Sequence, residues 1–167
     1  MEADGHPPLR ETKLATLCAA LNAAEARYVL VGAQAGVLWG HARTTRDFDL
    51  LIEPTVENAR RVLQALETLG FVLARDCSPA DLIARPITVL TDPFYRVDLM
   101  TVAWSVPYRE ARPRAREFEV EGVAIPTASL DHLIASKRTG RLQDAADIEV
   151  LEKIRELRGD AGFMTPS

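Results

Sequence analysis

The sequence predicts an α/β (α+β) protein in which a mixed β-sheet is flanked by helices. Three observations predict it: apolar β-prone runs alternate with helical apolar spacings early in the chain, two hairpin patterns follow, and helical periodicity returns at the end. Nothing marks an interdomain linker, so one domain over residues 1–167 is expected, with a sheet core at about 27–125 and C-terminal helices at about 127–157. A chain of 167 residues buries about 70% of the surface its unfolded form exposes, enough to hold a core without disulfides or a structural metal.

After a loose start over Met1 to Arg10, Leu14, Leu17, Cys18 and Leu21 recur at helical spacing among alanines, predicting a helix that ends before Tyr28. Tyr28 to Val31 reads as a buried strand that turns at Gly32 into a short helix, Ala33 to Trp39, closed by Gly40. Polar residues His41 to Arg46 then lead into a second strand, Asp47 to Ile52. Thr55 caps a helix with Glu57 in its first turn and Val62, Leu66 and Leu69 on one face, ending before Gly70. Ile87 to Leu90 and Tyr95 to Met100 flank Thr91-Asp92-Pro93 as an antiparallel hairpin, and Phe118 to Val120 and Val123 to Ile125 flank Glu121-Gly122 as another. From Thr127 the helical pattern returns: Thr127 or Ser129 as cap, Leu130, Leu133 and Ile134 as the apolar stripe, and Gly140 as the stop. A last helix runs from about Gln143 to Leu157, and Gly159 to Ser167 reads as a loose tail.

Lys and Arg number 20 against 24 Asp and Glu, a formal charge of -4, which disfavours a generic cationic nucleic-acid binder but permits a local basic patch. The densest basic segment, Arg109, Arg112, Arg114 and Arg116 beside Trp104 and Tyr108, reads as an irregular solvated connector in preference to an RNA-phosphate site. Cys18 and Cys77 stand far apart with no CxxC and no histidine cluster, so both are expected as small core residues rather than zinc ligands or a redox pair. No secretory or membrane-spanning pattern occurs, and a cytoplasmic protein with no membrane partner is expected.

The chemistry concentrates in three carboxylates. Asp47 and Asp49, two apart on a strand, point to the same face while Phe48 and Leu50 pack the other. If the hairpin arm bearing Asp98 lies beside that strand, three carboxylates converge, and their repulsion calls for a divalent cation. Gly32, between a buried strand and a helix, would let phosphate oxygens approach backbone amides at the positive end of the helix. A nucleoside triphosphate with magnesium is the ligand that fits both features, because magnesium is usually held by one or two carboxylates plus substrate phosphates. His41 beside the turn reads as structural or solvated. By spacing alone, Lys137 and Arg141 read equally well as a solvated helix face.

The order of these features, a glycine after a strand, Asp-x-Asp, then a distant aspartate, resembles the nucleotidyltransferase superfamily typified by DNA polymerase beta. Val31-Gly32-Ala33-Gln34-Ala35 with Arg43-x-Thr45-x-Asp47-x-Asp49 is similar to a small bacterial branch that includes AbiEii-type toxins. So are Ser129 to Lys137 and Arg141-x-x-Asp144-x-x-Asp147. The resemblance covers about Tyr28 to Leu151 and implies the nucleotidyltransferase fold with C-terminal helices.

It further implies that Asp47 and Asp49 hold magnesium or manganese, that Asp98 completes the site and helps activate an acceptor hydroxyl, and that Gly32 and Ala33 lie against the triphosphate. Lys137 would face the departing phosphates, with Asp144 orienting it or Arg141, while Arg43 and Thr45 would fix the metal-bearing strand or touch phosphate. The implied activity is transfer of a nucleoside monophosphate to a hydroxyl or phosphate acceptor, RNA (a transfer-RNA end) or a small molecule. A toxin-antitoxin role with a cognate antitoxin is part of the same implication. Two departures stand out: Ala33 replaces the family's second glycine or serine, and Gln143 replaces a lysine. The alternative is a catalytically silent binding protein that keeps the fold and the pocket.

Overall fold

The computed structural model describes residues 13–91, 95–103 and 105–164. The expected loose start, the turn at Asp92-Pro93, Trp104 and the last three residues lie outside them. The elements are α1 (Lys13–Ala23), β1 (Tyr28–Val31), α2 (Gly32–Trp39), β2 (Asp47–Ile52), α3 (Val56–Thr68), a 3-10 turn (Val72–Asp76), α4 (Pro79–Ala84), β3 (Ile87–Thr91) and β4 (Arg96–Met100). There follow β5 (Val102–Ala103), β6 (Val106–Pro107), α5 (Tyr108–Arg114), β7 (Arg116–Val120), β8 (Val123–Thr127), α6 (Leu130–Ser136) and α7 (Leu142–Met164).

Six strands form one mixed sheet in the order β3-β4-β2-β1-β8-β7, and β5 and β6 make a small two-stranded sheet. β1 runs antiparallel to β2 and parallel to β8; β2 runs parallel to β4. The two expected hairpins are the antiparallel pairs β3–β4 and β7–β8. Tyr28, Val29, Leu30 and Val31 are all buried, as are Phe48, Leu50, Leu51 and Ile52, so the centre of the sheet is apolar on both faces. Around it, α1, α3, α4 and the 3-10 turn pack on one another, and α2, α6 and α7 form a second helical group.

Local chemistry sets the element ends. The Thr55 hydroxyl accepts from the Asn58 amide, the Ser78 hydroxyl from the Asp81 amide and the Ser129 hydroxyl from the His132 amide, each satisfying an orphan donor of a first helical turn. Gly40 ends α2 in the left-handed region, with φ 117°.

Three expectations need correction. The basic segment is not an irregular connector: Tyr108 and Ala111, three apart and both buried, wind it into α5 against β1, and Arg116 already belongs to β7. Pro113 in the last turn of α5 hides that helix from a reading by pattern. The final helix does not stop near Leu157 but continues to Met164; two glycines weaken a helix, yet no proline lies between Gly159 and Met164 to end it. Cys18 is fully buried, and burial pushes its thiol up to about 12, whereas Cys77 is only half-buried and packs against the edge of the core just before α4.

Asn58 is a buried polar residue that ties the sheet to α3. Its Oδ1 accepts from the Arg27 amide at 2.6 Å, and its Nδ2 donates to the Arg27 and Glu53 carbonyls at 2.9 Å each. One amide thus satisfies three backbone groups, at the residue before β1 and the residue after β2. Asn58→Ala strips the Arg27 amide and the Glu53 carbonyl of this partner and leaves the Arg27 carbonyl with the Glu53 amide alone; it is expected to cost about 2 kcal/mol, read as a lower urea midpoint with an unchanged slope. A midpoint equal to that of the unmodified protein would show the clasp to be dispensable.

Candidate active site

The site gathers where β1 ends and β2 and β4 begin. Asp49 pairs in register with Val31 on one side and with Asp98 on the other, and Asp47 pairs with Arg96. Paired positions present their side chains to the same face, so Asp47, Asp49, Arg96 and Asp98 share one face of the sheet. Phe48 and Leu50 pack the opposite one, as the alternation predicts.

Gly32 follows β1 with φ 72°, a conformation that favours glycine. A Cβ built there would stand 2.0 Å from Asp49 Oδ2 and 2.8 Å from its carboxyl carbon. The glycine therefore serves two needs: the left-handed turn into α2, and the space into which the Asp49 carboxylate folds. No side chain caps the first turn of α2, which begins beside that carboxylate. Its first-turn amides receive no side-chain cap, and Ala33 brings no hydroxyl to them, so an anion would meet backbone donors there.

Asp98 is 6% exposed. Both of its oxygens are engaged by Arg96, Nε to Oδ1 at 2.7 Å and Nη2 to Oδ2 at 3.1 Å. Asp49 faces it. Burial first, then the charges of Asp98 and Asp47 and the hydrogen bond shared with Asp98, push the Asp49 carboxyl up to about 7, against the pull of Lys137. The expected convergence of three carboxylates is therefore realised for two. Among the described residues, no three His, Cys, Asp or Glu side chains close on one point, because Asp98 is turned onto Arg96 and exposed Asp47 acts on Asp49 only through its charge. The donor set still fits a hard divalent cation. Two apposed carboxylate groups, a third two residues away and an anion cradle leave the remaining positions to substrate phosphates and water.

A second cluster lies between α6 and α7. Asp147 is buried, and its Oδ2 accepts from Lys137 Nζ at 2.9 Å and from Arg43 Nη1 at 2.8 Å, while Oδ1 accepts from Gln143 at 3.1 Å. His41 Nε2 stands 3.9 Å from the same Oδ1. Burial raises the Asp147 carboxyl, but hydrogen bonding and charge from Lys137, with Arg43 behind them, outweigh it and hold the group below its usual range. Asp144 is held low in the same way, burial being outweighed by bonds from Thr139 and Arg141. Its Oδ2 accepts from Arg141 Nε at 2.8 Å, and Lys137 is 3.7 Å from its Oδ1. Asp144 thus orients Arg141, while Asp147 is the nearer partner of Lys137. Gln143, where a lysine was expected, donates to Asp147.

Arg43 and Thr45 act on protein, not on the open face. Arg43 ties the segment before β2 to α7, and the Thr45 hydroxyl accepts from the Asp47 amide at 3.1 Å, fixing the first residue of β2. Arg109 and Arg112 lie elsewhere, lining a cavity of about 460 Å³ with Glu53, Pro54 and Tyr108, beyond the end of β2 opposite Asp47. Sequence reasoning gave no role to two residues, Arg96 and Asp147, although Asp147 stands in the Arg141-x-x-Asp144-x-x-Asp147 motif. The signal for Arg96 was its place two before Asp98; for Asp147 it was the three-residue spacing from Asp144 on one helix face.

Two predictions follow from Asp49. A carboxyl whose folded value lies near 7 and whose ordinary value is 3.8 takes up a proton on folding between those limits. The metal-free protein in EDTA should therefore lose stability as pH rises from 4 to 7, and Asp49→Asn should flatten that decline in a series of thermal melts. Asp144 and Asp147 do not disturb this window, since groups held low lose their contribution only as pH falls through the acid range. Gly32→Ala should lower the thermal midpoint by about 4 °C or more, through backbone strain and collision with Asp49; an unchanged midpoint would refute the tight approach.

No protein-family model and no curated protein sequence matches this chain. Among solved structures it is similar to the lincosamide antibiotic adenylyltransferase LnuA in its lincomycin-bound form. That pair shares 19% identity at a TM-score of 0.57, covering 86% of this chain and 97% of that one. It is also similar to a Thermotoga maritima protein assigned provisionally as a nucleotidyltransferase, at 16% identity and a TM-score of 0.54, covering 88% and 91%. At such identities the likeness is one of backbone, and it establishes that this chain has the nucleotidyltransferase fold, a six-stranded mixed sheet flanked by helices.

Proposed function

We propose that this protein transfers a nucleoside monophosphate from a nucleoside triphosphate to a hydroxyl or phosphate acceptor. The observation that carries the reading is the apposition of Asp49 and Asp98 across adjacent strands, with Asp47 on the same face and the uncapped start of α2 at Gly32 beside them. A fold can use such a cluster of acids for little except charge-dependent chemistry, because unneutralised it costs stability.

In this reading Asp47, Asp49 and Asp98 hold magnesium or manganese, which supplies charge neutralisation on the triphosphate. The α2 amides at Ala33 and Gln34 bind phosphate oxygens, and Gly32 keeps the approach open. An acceptor oxygen attacks the α-phosphorus; its bond to phosphorus forms as the α–β phosphoanhydride bond breaks, and pyrophosphate leaves. Asp98 takes the acceptor's proton, while Lys137 presents its ammonium to the leaving group. Asp147 is a positioning residue: it holds Lys137 and Arg43 at once, so the segment leading into β2 and the C-cap of α6 keep one spacing. LnuA, by its name, adenylylates a lincosamide antibiotic. A small-molecule hydroxyl is accordingly one acceptor to try, and the end of an RNA is the other. Ala33, which leaves the cradle without a hydroxyl, favours a second reading as a silent nucleotide-binding protein.

The test is incorporation of α-labelled ATP, GTP, CTP and UTP, with magnesium, into total RNA and into a panel of hydroxylated small molecules. Label should appear in one acceptor class, and Asp49→Asn should reduce it about a hundredfold or more. Absence of label from every acceptor, with magnesium-nucleotide binding intact, would replace the enzyme by the silent reading.

A further inference from the structure

Arg96 enters the site from an unexpected direction. It lies two residues before Asp98 on β4, in register with Asp47, and its guanidinium grips both Asp98 oxygens at 2.7 and 3.1 Å. The two partners are unequally placed: the Arg96 side chain is 47% exposed, whereas the Asp98 side chain is 9% exposed. The arginine can therefore swing into solvent while the carboxylate stays. Lys137, the other cation acting on this face, is committed to Asp147 and Asp144. Among the described residues, Arg96 is the cation bonded to Asp98.

We propose that Arg96 is the resident counter-ion of Asp98, which a divalent cation must displace to enter the site, so that Arg96 sets the cation concentration at which the site fills. The proposal rests on the reading of the three aspartates as cation ligands. Its physical basis is competition for the same oxygens. A planar guanidinium satisfies a carboxylate through two parallel hydrogen bonds but brings one positive charge; a divalent cation brings two and also draws on Asp49. In the absence of metal the arginine keeps a buried carboxylate paired and lets Asp49 and Asp98 remain apposed. When metal enters, the released guanidinium stays tethered beside Asp47 on the open face, where anionic oxygens of a bound triphosphate would meet it.

The experiment is a titration of the full chain with Mn2+, followed by the electron paramagnetic resonance of the free ion, for the unmodified protein, Arg96→Gln, Arg96→Lys and Asp49→Asn. Arg96→Gln should bind Mn2+ about tenfold more tightly, since a competing charge is gone. Arg96→Lys, which keeps the charge and loses the fork, should fall between. In EDTA, Arg96→Gln should melt below the unmodified protein, and saturating Mn2+ should raise its midpoint by the larger increment. A purely structural arginine would give the opposite result, a loosened site that binds Mn2+ more weakly. Equal or weaker Mn2+ binding by Arg96→Gln overturns the proposal and leaves the cation reading standing. Mn2+ binding to none of the four proteins overturns both the proposal and the cation reading, and Mn2+ binding undiminished in Asp49→Asn overturns the proposal by placing the ion elsewhere.

Discussion

Two carboxylates set opposite each other on adjacent strands carry a repulsion that the rest of the site answers. The register that pairs Asp49 with Asp98 follows from the parallel β2–β4 ladder, and a shift of either strand by one residue would turn its acid to the opposite, apolar face. Each neighbour reduces the cost in its own way. Burial and the neighbouring acids raise the Asp49 carboxyl and so favour its neutral form, Arg96 neutralises Asp98 from the side, Lys137 lends charge to Asp49, and Gly32 gives the Asp49 carboxylate room against the backbone. Structures that needed these acids only for solubility would have placed them on the rim, where water does the same work.

The second constraint is the buried carboxylate of Asp147. A lone charge at that depth is strongly unfavourable, and so is either cation brought there alone; Lys137 and Arg43 together make the arrangement tenable. The gain is in geometry more than in stability. The cluster ties three elements, the approach to β2, the end of α6 and the first turns of α7, into one spacing, so that a charge carried by the helices is referenced to acids carried by the sheet.

Much of the sheet was legible because its signals are local. Tyr28–Val31 and Asp47–Ile52 are apolar runs bounded by glycine and polar residues, and the structure returns those bounds unchanged. Thr55 and Ser129 announced their helices by capping chemistry. What escaped the reading depends on burial or on distance along the chain. The helix α5 is concealed by Pro113 and revealed only by Tyr108 and Ala111 packing on β1. The 3-10 turn and α4 lie in a stretch with no clear period, although Ser78 with Asp81 three residues on carried a cap signature. For the site, the spacing of Asp47, Asp49 and Asp98 placed them on one face. No spacing could say that Asp98 would be gripped by Arg96, because rotamer choice between two acidic neighbours is settled by packing.

The bond from Arg43 to Asp147 spans 104 residues, and β1 reaches its parallel partner β8 only at Thr127. Elements β1 to β4 therefore emerge from a ribosome and can begin to pair well before the strand and helices that complete them have been made. The acids are in place early; the ammonium of Lys137 and the carboxylate that aims it arrive last. A nascent chain accordingly carries an incomplete charge arrangement until α7 docks, and docking of that one helix marks the moment at which the site becomes whole.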